Sequence, residues 1–138
     1  MASQAFLARG GKTFCNMALC AIGDAVGADM RPLKRQGEAM MAADMRQALT
    51  NPHSGFKQVS PTEATLLANQ GFFAFVAGPG VRGEPDHVAS VRPDSGEPVI
   101  GLSGPILANI SKQSDIRRTS MAFQSSVMGE VRFYTNAK

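Results

Sequence analysis

Residues 60–77 read SPTEATLLANQGFFAFVA, and the change of pattern inside them decides the fold class. Ser60 is an N-cap, Pro61 stands at the first helical position and Glu63 at the third, so a short helix starts here and runs to Asn69 before Gly71 stops it. Directly afterwards Phe72 to Ala77, FFAFVA, reads as a buried strand from its length, aromatic content and flanking glycines. Before this junction the chain patterns as helix; after it, as strand. Helices first and strands later describe an α+β domain with a largely antiparallel sheet.

Upstream, Lys12 to Val26, KTFCNMALCAIGDAV, is apolar or small at almost every position from Phe14 onward, apart from Asn16, Gly23 and Asp24. A helix so patterned is covered on most sides and sits centrally. Thr13 serves as its N-cap and Gly27 as its C-cap. Met30-Arg31-Pro32 is a connector, because the residue before a proline avoids helix. Gln36 to Leu49 repeats apolar residues at three and four, which predicts a second amphipathic helix, and Asn51-Pro52-His53-Ser54-Gly55 breaks it.

Downstream, Gly78 to Pro85 is a loop, His87 to Val91 alternates as a strand, and Pro93 to Pro98 is its turn. Val99 to Leu102 reads as a third short strand. Gly104 to Thr119 stays open between readings, one of them a turn of helix over Pro105 to Asn109. Met121 to Gln124 and Val131 to Thr135 close the chain as strands. No internal repeat or low-complexity segment interrupts this order.

The 138 residues are the size of one domain, spanning 1–138, with 43% hydrophobic and 18% charged residues, 14 Gly and 8 Pro. The net charge of +3 and pI of about 9.2 suit an acidic partner. The 14 Lys and Arg are scattered, with only Lys34-Arg35 and Arg117-Arg118 adjacent, which is not the stripe of a nucleic-acid binder. No apolar run reaches the ~20 residues of a membrane span, and MASQAFLARGGK does not read as a signal peptide. Synthesis in the cytoplasm, with export by a dedicated machine or release by lysis, is therefore the expectation.

Cys15 and Cys20 lie five apart on one predicted helix and point in different directions, so both should be free thiols. Cys20 has apolar neighbours and reads as core. Cys15 has two readings. It is either another small buried side chain or a nucleophile in the first helical turn, where unpaired backbone N–H groups and the positive end of the helix dipole lower a thiol's pKa. A nucleophilic cysteine needs a histidine near it in space. His53 sits in Asn-Pro-His-Ser-Gly and reads as a solvated turn residue. His87 starts a strand after a Gly- and Pro-rich loop, where a strand end facing a helix start could assemble the pair, and is the preferred partner. Two cysteines and two histidines without zinc spacing predict no metal, and no phosphate loop follows the glycines at 78 and 80, so no cofactor is expected.

Cys15-Asn16 opening a helix, Met40 and Leu49 on a second, Ala68-Asn69-Gln70-Gly71-Phe72-Phe73 before a strand, and His87-Val88-Ala89-Ser90-Val91 together resemble the NlpC/P60 superfamily of papain-like cysteine peptidases. The chain looks most like the small peptidoglycan amidases delivered by type VI secretion systems and like related phage lytic domains. The likeness runs from Thr13 to about Tyr134. It implies a papain-like NlpC/P60 fold, Cys15 as nucleophile, His87 as base, and an orienting third group near Leu102-Ser103-Gly104. Ser103 is the candidate, with Asn109 and Asp94 as rivals. It also implies cleavage of a peptidoglycan stem peptide, at the D-glutamyl to diaminopimelate bond, in the periplasm of a target cell, and a cognate immunity protein that inhibits the enzyme. The chain departs from the family pattern at Asp86, where a glycine is usual before the histidine, and at Asn16-Met17, where Ser-Gly is usual.

Overall fold

The computed structural model describes residues 15–80, 86–93, 106–109, 115–118, 123 and 125–136. Helix α1 spans Cys15–Ala25. It closes with paired bonds from Ala28 N–H to the Gly23 carbonyl at 2.9 Å and from Gly27 N–H to the Asp24 carbonyl at 3.1 Å, which use up carbonyls the helix would otherwise leave bare. Thr13 and Phe14, the expected cap and first residue, lie outside the described residues.

A single 3-10 turn, Arg31–Leu33, leads into a two-stranded ribbon of β1 (Lys34–Arg35) and β2 (Glu38–Ala39). The predicted helix from Gln36 to Leu49 is corrected here: only Ala42–Ala48 is helical, as α2. Gln36 and Gly37 both take positive φ, 55° and 83°, which is the turn that joins two antiparallel strands with the right twist. The apolar spacing was real, but its first third belongs to a hairpin.

β3 (Lys57–Val59) precedes α3 (Pro61–Asn69). Helix α3 matches the reading of its sequence: Ser60 Oγ accepts the Glu63 backbone N–H at 3.1 Å, and Gly71 leaves at φ 87°. Phe72 N–H then bonds the Leu67 carbonyl at 2.9 Å. Because Phe72 finishes the helix, the strand predicted from that residue begins two later, as β4 (Ala74–Gly78). β5 (His87–Val91) has the predicted bounds.

β6 (Ile106–Asn109) replaces the turn of helix considered there, and β7 (Asp115–Arg118) follows. Phe123 sits in a bend where a strand was expected, a 3-10 segment covers Ser125–Glu130, and β8 (Arg132–Thr135) closes the order. The strand expected at Val99 to Leu102 lies outside the described residues.

β3, β8, β4, β5, β6 and β7, in that order, form one six-stranded sheet, and every neighbouring pair is antiparallel. The class is therefore α+β. The elements do not fall into helices first and strands second, because β3 comes before α3 and pairs with the last strand.

Pleat alternation splits the sheet's side chains between two cores. On one face Phe73, Phe75, Ala77, Val88 and Tyr134 join Cys15, Leu19 and Cys20 of α1, Met45 of α2, and Leu33. Phe75 is fully buried. Phe56 meets it edge-on at 5.3 Å, and Phe73 and Tyr134 stack on it at 5.3 and 5.6 Å, geometries worth about 0.5–1.5 kcal/mol each beyond area burial. On the other face Val76, Ala89, Val91 and Phe133 pack with Ala64 and Ala68 of α3 and with Phe123 and Val131. No helix among the described residues is long and apolar enough to cross a membrane.

Candidate active site

Cys15 is the first residue of α1 and is 3% exposed, within the core that holds Leu19, Phe75, Ala77 and Val88. Cys20, one turn on, is also buried, and the two cysteines are not bonded to each other. Burial pushes the Cys20 thiol up to about 11, with Lys34 opposing and Asp24 reinforcing. It is a core residue, as its neighbours in sequence suggested.

Helix α1 packs against β5, so the element that Cys15 opens adjoins the element that His87 opens. The two side chains are nonetheless presented differently. His87 stands opposite Gly78, and alternation along β5 gives it the face of Ala89 and Val91, away from Val88. Its ring lies 5.6 Å from that of Phe123, tilted by 59°. Phe123 reaches this position because residue 78 has no side chain: a Cβ there would lie 2.5 Å from Phe123 Cε1. A Cys15 and His87 ion pair would therefore form round the end of β5 rather than across one sheet face.

Two hydrogen bonds tie the neighbours of these residues to α2 and the residues leading into it. Asn16 Nδ2 donates to the Met40 carbonyl at 2.7 Å, just before α2. Arg46 Nη1, in the last turn of α2, donates to Asp86 Oδ2 at 2.9 Å, while Asp86 Oδ1 accepts the Gly80 N–H at 3.2 Å. Helix α2 has seven residues and is about 10 Å long. The start of α1 is thus tied to the residue two before α2, and the start of β5 to the last turn of α2. Asn16 and Asp86, the residues next to Cys15 and His87 in sequence, each make a side-chain bond to a distant part of the chain. The pairing of Arg46 with Asp86 spans 40 residues, and no local signal in the sequence announces it.

Of the three candidates for an orienting group, Ser103 and Asp94 lie outside the described residues. Asn109 ends β6. Ser90 pairs with Ala108, so one step further along that register Asn109 comes beside Ala89, two residues from His87. His53 is exposed in its turn, its N–H donating to Asn51 Oδ1 at 2.9 Å, in keeping with its reading as a turn residue. No group of His, Cys, Asp and Glu among the described residues could hold a metal ion.

No protein-family model matches the chain, and neither a search of curated proteins nor one of solved structures finds a match.

Proposed function

We propose that this chain is a cysteine amidase of peptidoglycan. The observation that supports the reading is that the residue after Cys15 is tied to Met40, just before α2, and the residue before His87 to Arg46 in its last turn. Cys15 as a thiolate attacks the carbonyl carbon of a stem-peptide amide, the D-glutamyl to diaminopimelate bond, and its own backbone N–H at the start of α1 steadies the oxyanion. His87 takes the thiol proton and delivers it to the leaving amine as the C–N bond breaks. Water, giving a proton to His87, then hydrolyses the thioester and restores the thiol. Ser103 is the candidate to orient His87. Asn109, whose place in β6 the register sets opposite Ala89, and Asp94 are the rivals.

The resemblance carries the substrate and the setting: an antibacterial effector exported through a type VI secretion machine, acting in a target cell's periplasm and countered by an immunity protein. Phage lysis, or a deamidase or acyltransferase acting on protein, would use the same pair. One observation favours a different reading, a binding domain without catalysis: the imidazole of His87 lies against Phe123, on the face opposite the Cys15 core.

Digestion of purified sacculi separates the readings. The chain should release muropeptides with new amino termini, and Cys15→Ala should lose about a thousandfold or more of that activity. Identical muropeptide profiles from the chain and from Cys15→Ala would overturn the amidase.

A further inference from the structure

We infer that the groove beside the end of α2, lined by Tyr134, Asn51 and Gln58, is a binding site for an uncharged N-acetylated sugar of the glycan strand. The inference rests on the amidase reading for its choice of polymer, while the chemistry of the ligand comes from the groove itself.

The groove encloses about 690 Å³, inside the range of sites for small ligands. Its charges cancel. Arg46 is answered by Asp86 at 2.9 Å, and Arg132 shares the wall with Glu130. The pairings of Gln58 with Tyr134 and of Lys57 with Thr135 give Gln58 the face of Tyr134 and Lys57 the opposite one, so the Lys57 ammonium adds no charge to the hollow. A hollow without net charge has no field with which to select an ion.

What remains is a set of hydrogen-bond donors beside an apolar surface. Tyr134 is 9% exposed, and its hydroxyl makes no hydrogen bond among the described residues. Burial pushes its phenol up, against the opposing pull of Arg132 and Arg46, so it keeps its proton and can donate. A buried hydroxyl without a partner costs stability, and phenylalanine would stack on Phe75 as well. Packing therefore gives no reason for the oxygen, whereas a ligand that accepts from it does. Asn51 Oδ1 already takes the His53 N–H, which leaves its amide nitrogen as a second donor, and Gln58 brings another amide from β3. Leu49 and Phe56, both buried, line the same hollow.

The ligand these groups describe is neutral, rich in acceptor oxygens and apolar on one side. Peptidoglycan divides on that criterion. The stem peptide carries carboxylates and amines along its length. The glycan carries neither once its lactyl carboxyl is taken up in the stem amide, and offers hydroxyls, acetamido groups and the C–H face of each pyranose. An acetamido group meets both halves of this lining, its carbonyl accepting from Tyr134 and its methyl resting on the apolar surface. The groove also adjoins the candidate chemistry, because Arg46 is part of its wall and Asp86, across that ion pair, directly precedes His87. A sugar held there would leave its stem peptide next to the start of β5.

NMR titration of the nitrogen-labelled full chain carrying Cys15→Ala, so that nothing turns over, tests the site. The probes are N,N′-diacetylchitobiose, cellobiose, which has the same linkage without acetamido groups, and the tripeptide L-alanyl-γ-D-glutamyl-L-lysine. The acetylated sugar should move the side-chain amide signals of Asn51 and Gln58. It should bind about tenfold or more tightly than cellobiose, roughly the worth of one hydrogen bond, and hold its affinity at high salt, where binding driven by charge weakens. Adding Tyr134→Phe should cost about tenfold in affinity without lowering Tm; a hydroxyl with a structural role would lower it. Gln58→Ala, at an exposed edge position, should weaken binding in a protein that melts like its parent. Equal affinity for the two sugars, preference for the tripeptide, no binding of any probe, or full affinity in both variants would overturn the inference. The two proposals fail separately. Sugar binding without sacculus cleavage would sink the amidase and leave the groove. Sacculus cleavage with an unchanged KM in Tyr134→Phe and Gln58→Ala would sink the groove and leave the amidase.

Discussion

Substituting Gly78→Ala tests the packing beneath His87. The new methyl would stand 2.5 Å from Phe123 Cε1, 2.9 Å from Phe123 Cδ1 and 2.9 Å from Val131 Cγ2. All three distances are shorter than carbon atoms tolerate, and Phe123 is a rigid ring only 4% exposed, so it cannot swing into solvent without uncovering its core. Overpacking of this kind costs about 1–3 kcal/mol. Alanine recovers up to about 1 kcal/mol by restricting the unfolded chain. The net expectation is a loss of about 1–2 kcal/mol, or roughly 3–8 °C in Tm for a chain of this length. Denaturant unfolding measures it, and Phe123→Leu in the same chain should return about half by clearing the edge of the ring. His87 reports the same event independently, because its imidazole proton shifts depend on the ring 5.6 Å away. An unchanged or raised midpoint, with unmoved His87 resonances, would refute the packing described for this face.

Ser60→Ala removes the acceptor for the Glu63 N–H and should cost about 1 kcal/mol, read as a shift in urea midpoint with unchanged slope. Asp86→Ala leaves Arg46 facing a half-buried gap, since the two side chains are 20% and 30% exposed. A loss of about 1–2 kcal/mol is expected, between the values for surface and buried pairs, and a double-mutant cycle with Arg46→Ala should show coupling rather than additivity. Stability should also fall at high pH. Folded Cys20 holds its proton up to about 11 against an ordinary value of 9.0, so its contribution is complete below pH 9 and is lost as pH rises toward 11. Tyr134, also raised by burial, adds in the same sense. Urea midpoints across that window should decline less steeply in Cys20→Ala, and a flat profile in the parent chain would contradict the burial of the thiol.

The parts of the fold that were legible in the sequence are those fixed by nearby residues. Ser60, Pro61, Glu63 and Gly71 act within a few positions of one another, and the helix they bound was read to the residue. Alternation in His87 to Val91 was likewise enough for β5. The hairpin at Lys34–Ala39 was missed because its turn is Gln36-Gly37 rather than the Asn-Gly that usually marks positive φ at both positions, and because Ala and Met around it suit a helix equally well. β3 was invisible for a different reason. Its three residues are too few to show a period, and only Val59 among them is buried. A charged, short edge strand avoids pairing with other chains, which also removes the apolar pattern by which it could be recognised.

The candidate site divides along the same line. Cys15 at a helix start and His87 at a strand start follow from local pattern, whereas what relates them is non-local: Asn16 to Met40 and Arg46 to Asp86. Both ties are made by side chains that directly neighbour the candidate pair in sequence, Asn16 and Asp86. A glycine at 86 would free the loop before β5, but it would also remove the carboxylate that holds Gly80 on one side and Arg46 on the other. A serine at 16 has a shorter arm and no amide to reach the Met40 carbonyl. Asn16 and Asp86 therefore fix the starts of α1 and β5 to α2 and the residues leading into it. In an enzyme that must hold a thiolate and an imidazole in register, such anchorage serves preorganisation; in a binding domain it would serve only stability. Activity on sacculi in Asp86→Ala separates the two, since a preorganising tie predicts a fall in kcat larger than the loss of folded protein accounts for.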